Sequence, residues 1–245
     1  MSAVLHPASS DLLSALPSED WQRLAPAMES IEVGLGQVLY ESGATVTHLY
    51  FPTTAIVSLL QVLENGASAE IAVVGREGLV GIALLMGGET TPMRAIVQSA
   101  GSCFRLRAGV IRAEFARGGP VMDVMLRYTQ ALITQMAQTA VCYRHHSVEQ
   151  QLCRWLLLCL DRIHGDELVM TQELISTMLG VRREGVTEAA SRLQRRGFIK
   201  YARGRITVLN RHGLEAGACE CYAVVKKEYD RLLGCGAAGK TLSRP

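Results

Sequence analysis

Residues 171–193 read TQELISTMLGVRREGVTEAASRL, the spelling of two short helices around one tight turn. Thr171 can cap the first helix, and Glu173 falls in its first turn, where the helix dipole favours an acid. Gly180 sits where the chain must turn sharply. Ile175, Met178, Leu179, Val181, Val186 and Leu193 then supply the small shared core of a helix-turn-helix. Gly197 ends the second helix, and Phe198–Tyr201 and Arg205–Leu209 form two strands around Ala202-Arg203-Gly204. The unit is a winged helix.

Charge follows the same segment. Between Gly180 and Arg211 stand nine basic residues, namely Arg182, Arg183, Arg192, Arg195, Arg196, Lys200, Arg203, Arg205 and Arg211, against Glu184 and Glu188. The chain as a whole is +2, so this block of +7 leaves the remainder at −5. A basic block on a near-neutral molecule suggests a polyanionic partner. Arg182, Arg183 and Glu184 lie at the N-terminal end of the second helix, the end that enters the major groove in such motifs. Arginine can donate two hydrogen bonds to guanine and glutamate can accept one from cytosine. Arg192, Arg195, Arg196, Arg203 and Arg205 suit phosphate contact, which positions a protein without reading sequence. Double-stranded DNA is the expected partner; a winged helix that contacts protein or RNA is the alternative.

Val121–His164 contains neither Gly nor Pro, enough for a long helix. Met122, Met125, Thr129, Leu132, Met136, Thr139 and Tyr143 follow alternating three- and four-residue steps, the narrow seam of a coiled coil. Met125, Leu132, Met136, Thr139 and Tyr143 are therefore read as a homodimer interface, the other reading being that this side lies against the chain's own β unit. Ser147 with Gln150 forms a capping box ahead of Leu152, Trp155, Leu156 and Leu160, so the stretch is expected to break there. Glu32–Leu106 is rich in short apolar runs separated by Gly-containing turns, an all-β roll or sandwich. Asn65-Gly66 is its best hairpin signal, suited to a type I′ turn. Ahead of the β unit, Leu12–Leu16 and Ser18–Met28 read as short helices with Ser18 as an N-cap. Leu214–Leu233 reads as one amphipathic helix that braces the winged unit or contacts RNA polymerase, and Gly234–Pro245 as a loose tail. The fold class is thus α+β, divided into residues 1–120 (β-roll sensor), 121–146 (dimerisation helix) and 147–245 (winged helix-turn-helix with a C-terminal helix).

Composition excludes several classes. At 245 residues, 49% hydrophobic and 20% charged, the chain can bury real cores. The longest uncharged run, Ser42–Leu63, is interrupted by polar residues, so no membrane span is expected, and with no secretory signal pattern at the start a cytoplasmic location is. Seven cysteines, an odd number, read as reduced thiols. Cys142, Cys153 and Cys159 fall on the helices as packing thiols, and Cys219-x-Cys221 with His212 is a loose spacing for a metal; neither metal nor cofactor is expected. A thiol-responsive switch stays open as an alternative. Cupin-type enzymes need clustered histidines, and Glu32–Leu106 offers only His48, so no enzyme is expected. His145-His146 reads as part of the joint.

With Leu179-Gly180-Val181 and Arg183-Glu184-x-Val186 inside Thr171–Ile199, and the order roll, long helix, winged helix over residues 11–210, the chain resembles the Crp/Fnr transcriptional regulators. The resemblance implies a homodimeric, sequence-specific regulator with a cyclic-nucleotide-binding-like jelly roll. It places Arg183 and Glu184 at the base-reading pair and Thr171 and Gln172 at phosphate, where Thr187 is grouped with them. Glu188 stands where the family often has a further base-reading arginine, implying a different operator. The segments corresponding to the family's cyclic AMP contacts are Gly81-Ile82-Ala83 and Pro92-Met93-Arg94-Ala95. Ile82 cannot accept a hydrogen bond from a ribose hydroxyl and Arg94 is the one nearby cation, so Gly81, Ile82 and Arg94 are expected to form a degenerate effector pocket that does not take cyclic AMP; the roll then either binds another ligand or serves only as a dimerisation and contact scaffold. The oxygen-sensing branch uses N-terminal cysteines, and the first cysteine here is Cys103.

Overall fold

The structure, a computed structural model, describes residues 6–163 and 165–234. Two short helices, α1 (Asp11–Ser14) and α2 (Ser18–Leu24), precede seven strands: β1 (Glu29–Val33), β2 (Val38–Tyr40), β3 (His48–Pro52), β4 (Ile56–Val62), β5 (Ser68–Val74), β6 (Met93–Ser99) and β7 (Gly101–Arg107). Helices α3 (Ala108–Arg117), α4 (Pro120–His145) and α5 (Val148–Leu160) follow. The last part holds β8 (Glu167–Val169), α6 (Gln172–Leu179), α7 (Arg183–Arg195), β9 (Ile199–Ala202), β10 (Arg205–Val208), α8 (Arg211–Gly217) and α9 (Glu220–Leu233).

The roll is two antiparallel sheets, β1-β7-β3 and β2-β6-β4-β5. Strand β4 is buried along Ile56–Leu60 because both of its faces are covered. The two-residue period sends Val57 and Leu59 into the roll's core with Phe51, Leu49 and Leu106, while Ile56 and Leu60 join a second core built around Trp155, Leu156, Ile175 and Leu193. Val73 of β5 faces the second core, and its neighbours Ala72 and Val74 the first. The winged helix is thereby packed against the roll of its own chain. The hairpin falls where Asn65-Gly66 puts it, with a different turn. The Gly66 amide donates to the Leu63 carbonyl at 2.9 Å and the Leu63 amide to the Ala67 carbonyl at 2.8 Å. Gly66 alone takes positive φ, at 84°, which is a three-residue loop closed by a glycine bulge rather than type I′.

Helix α4 lays Val121, Val124, Met125, Tyr128 and Leu132 on the roll's core, and the Tyr128 hydroxyl donates to the Leu79 carbonyl at 2.9 Å. It ends where the sequence signals. Ser147 accepts from the Gln150 amide while the Gln150 side chain accepts from the Ser147 amide, and α5 starts in a new direction. Three expectations shift. Ser18 is the first residue of α2 rather than its cap, since Pro17 occupies the cap. Leu214–Leu233 is two helices, because Asn210 caps α8 and the chain extends at Ala218 before α9 begins. The wing gains a third strand, in the order β8-β10-β9. Residues 235–245, within the segment read as a tail, lie outside the described residues. Among the described residues no helix is long and apolar enough to cross a membrane.

Candidate nucleic-acid interface

Thr171 caps α6 by accepting from the Leu174 amide at 3.1 Å, and Gly180 closes the helix in the left-handed conformation, at φ 63°. That turn sets α7 beside α6 with Val186, Ala189, Ala190 and Leu193 buried beneath it. What remains outward on α7 is the charged side. Arg182, Arg183, Glu184, Thr187, Glu188 and Arg195 are exposed. Arg182 and Arg183 open the helix at its positive dipole end, where only an anionic or acceptor-rich partner suits them.

The wing meets this helix end. Tyr201 is fixed by its hydroxyl, which donates to the Met170 carbonyl at 2.9 Å, and by its amide, which donates to Gln194 at 2.9 Å. Arg203 holds the tip of the β9–β10 turn at φ 51°, the one non-glycine residue with positive φ among the described residues. Between helix and wing lies an open cleft of about 310 Å³ lined by Thr171, Gln172, Arg183, Gln194, Tyr201 and Arg203. Residues 32 positions apart in sequence thus line one cleft. Gln172 accepts from the Thr187 hydroxyl at 2.9 Å, so two of the residues assigned to phosphate brace one another across the two helices.

The basic residues divide by their partners. Arg182, Arg183, Arg195 and Arg203 make no ion pair among the described residues. Arg192 is held by Glu149 at 2.6 Å and by Glu188 at 2.7 Å, and Arg196 by Glu149 at 2.8 Å with its guanidinium 4.4 Å over the Phe198 ring. Its two carboxylate partners raise the pKa of Arg192, Glu149 foremost. Arg205 pairs with Glu167. Sequence reasoning missed Glu149 and Glu167 because they lie 43 and 38 residues from the arginines they hold, and no local spacing links them.

The roll places its three singled-out residues as follows. Gly81 adopts φ 108° with an ideal Cβ position 3.0 Å from the His48 carbonyl oxygen, so glycine is required by both conformation and space. Ile82 is buried in the roll's core at the start of a short 3-10 turn, and Arg94 extends to Glu41 at 3.0 Å.

On α4 the stripe read as a seam faces inward. Met125, Leu132 and Thr139 are buried within the chain, and Met136 and Tyr143 are half-buried. Thr139 accepts from Arg154 at 2.6 Å, and the Tyr143 hydroxyl donates to the carbonyls of Glu70 and Met178, both at 3.0 Å, tying α4 to β5 and α6. The alternating steps mark a covered side of the helix, and what covers it here is the chain's own roll and α5. The outward side carries Leu126, Ile133 and Val141, 43 to 51% exposed, spaced seven and eight residues apart.

Residues 150–216 match the model of the Crp-like helix-turn-helix domain, and residues 31–117 that of the cyclic nucleotide-binding domain. Among solved structures, a chain from Eubacterium rectale provisionally assigned to the Crp/Fnr family superposes with a TM-score of 0.67 at 16% identity, covering 85% of this chain and 98% of its own. FixK2 from Bradyrhizobium japonicum gives 0.66 at 16% identity, covering 78% and 98%. A Crp/Fnr-family transcriptional regulator from Thermus thermophilus gives 0.62 at 20%, covering 78% and 98%. At such identities the likeness is one of fold. No curated protein matches the chain significantly.

Proposed function

We propose that this chain, a roll of the cyclic nucleotide-binding type joined to a Crp-like winged helix, is a transcriptional regulator that binds double-stranded DNA sequence-specifically. The observation that carries the reading is the open cleft lined both by Arg183, at the head of α7, and by Arg203, at the wing tip, neither of which makes an ion pair among the described residues. Arg182, Arg183 and Glu184 read base edges from the major groove, joined by Glu188 when it leaves Arg192. Thr171, Gln172, Thr187, Arg195 and Arg203 hold phosphate. Arg192 and Arg205 contribute to phosphate contact from within their ion pairs, which are exposed enough to exchange a carboxylate for a phosphate at small cost.

The regulator acts as a homodimer on an inverted repeat, with its two α7 helices one turn of duplex apart, about 34 Å. The outward stripe of α4, Leu126, Ile133 and Val141, is the face we assign to the second copy, because large apolar side chains in a row on a long helix lose least when covered. The signal that the roll receives is other than cyclic AMP, since Ile82 offers no acceptor to a ribose and Arg94 is engaged by Glu41. RNA polymerase is the protein partner, and the compartment is the cytoplasm.

Selection of bound sequences from a random duplex pool tests the reading, followed by two substitutions. Arg183→Ala is expected to lose about 1–3 kcal/mol on the selected site and to relax one base position, whereas Arg203→Ala weakens all sequences alike. Equal losses on selected and random duplex for Arg183→Ala would overturn the base-reading assignment.

A further inference from the structure

The end of α4 and the start of α9 bring together four side chains that the nucleic-acid interface does not use. Cys142 and His146 are one helical turn apart at the C-terminus of α4, with Cys142 buried. Cys219 is the N-cap residue of α9 and Cys221 lies in its first turn, both buried. Their ligand atoms all fall within 4.8 Å of one another. Sequence spacing alone pairs Cys219-x-Cys221 with His212; the fold supplies Cys142 and His146 instead, from 77 and 75 residues away.

We propose that Cys142, His146, Cys219 and Cys221 form a closed Cys3His site for one zinc ion. The distances suit a single tetrahedral ion. Ligands at about 2.3 Å for sulfur and about 2.0 Å for nitrogen stand roughly 3.5–3.8 Å apart around a tetrahedron. The Cys142 and Cys219 Sγ atoms are 3.5 Å apart, and Cys221 Sγ is 3.6 Å from His146 Nδ1. Three sulfurs and an imidazole are soft donors that suit zinc and offer nothing to magnesium or calcium.

The surroundings follow the same logic. His146 turns Nδ1 toward the sulfurs, and its Nε2 is 3.3 Å from the Glu220 carboxylate. A metal-bound histidine that donates its other N–H to a carboxylate has its ring orientation and tautomer fixed. The Gln151 side chain donates to the His146 carbonyl at 2.9 Å, which fastens the start of α5 to the same corner. With four protein ligands and no open position, the ion is structural. It pins α9 to the Ser147 joint, the point at which the winged helix leaves the long helix.

The test uses the full chain purified under reducing conditions. One equivalent of zinc per chain is expected, released when a mercurial reagent titrates the thiols. Exchange of zinc for Co²⁺ should give the thiolate-to-metal charge-transfer and intense visible bands of a tetrahedral sulfur site. Removal of the metal by a chelator should lower the melting temperature of the parent protein. Cys219→Ser should abolish the cobalt charge-transfer pattern of three sulfurs. Glu220→Ala, at an exposed side chain, should lower zinc affinity about 10–100-fold with the fold intact. No metal retained or bound by the reduced parent protein, a weak octahedral cobalt spectrum, or unchanged affinity in Cys219→Ser would each overturn the proposal. These readouts involve no DNA and stand apart from the regulator reading.

Discussion

Glu70 permits a quantitative prediction about the junction between the roll and the winged helix. It lies on β5 at 3% exposure, where Trp155 of α5 donates its indole N–H to one carboxylate oxygen at 2.8 Å. The other oxygen has no hydrogen-bond partner among the described residues. Burial pushes the carboxyl up from 4.5 to about 7, against the opposing pull of the Ser58 hydroxyl first, then of the Trp155 hydrogen bond and of Arg154 and Arg162. An acid whose folded pKa is raised holds its proton more tightly when folded. Stability from this group is therefore fullest below about 4.5, falls as the pH rises toward 7, and stays low beyond. At about 1.36 kcal/mol for each tenfold change in proton affinity, the loss by pH 8 is about 3 kcal/mol. Glu70→Gln keeps the shape and the acceptor for Trp155 and cannot ionise. Urea unfolding followed by tryptophan fluorescence should show the variant more stable than the parent by up to about 3 kcal/mol at pH 8, with the gap closing toward pH 5. A gap that is constant with pH, or a parent that is the more stable at pH 8, would refute the claim that a buried, incompletely partnered carboxylate strains this junction.

Two further outcomes follow from single positions. Gly180→Ala puts a side chain where φ is 63° and where a Cβ lies 3.1 Å from the Ala69 Cβ, so a loss of roughly 1–2 kcal/mol in unfolding free energy is expected from the left-handed backbone alone. Ile133→Glu places a charge in the middle of the outward α4 stripe; sedimentation should show a shift from dimer to monomer with the circular dichroism of the parent, and an unchanged dimer would remove that face from the interface.

The shared core also bears on how a signal could reach DNA. The capped joint at Ser147 leaves α5 free to change angle cheaply in local terms, yet Trp155, Ile175 and Leu193 pack in one cluster with Ile56, Leu60 and Val73 of the roll. Swinging the winged helix away would return those side chains to water at roughly 25 cal/mol per Å² of apolar surface. Under the proposed function, a reorientation that changes DNA affinity needs a binding partner that favours the undocked form. The unsatisfied oxygen of Glu70 lies in that same junction and opposes docking once it ionises.

Local chemistry in the chain was enough to specify the winged helix. Thr171, Gly180 and Gly197 mark helix ends by capping and left-handed turns, Ser147 and Gln150 place the break between the long helices, and the glycine-punctuated runs identify a β roll. Each of these signals acts within a few residues, which is why it survives translation into structure. Decisions between distant segments had no such signal. The Met125 to Tyr143 stripe announces a covered helix side, but periodicity is blind to whether the cover comes from the same chain or another. The apolar run of β4 does not disclose that alternate residues serve two different cores. The carboxylates that hold Arg192 and Arg205, and the three cysteines and histidine gathered at the α4–α9 corner, come from segments tens of residues apart. Their meeting depends on how packed elements close in space, and that depends on the summed burial of many side chains rather than on any local pattern.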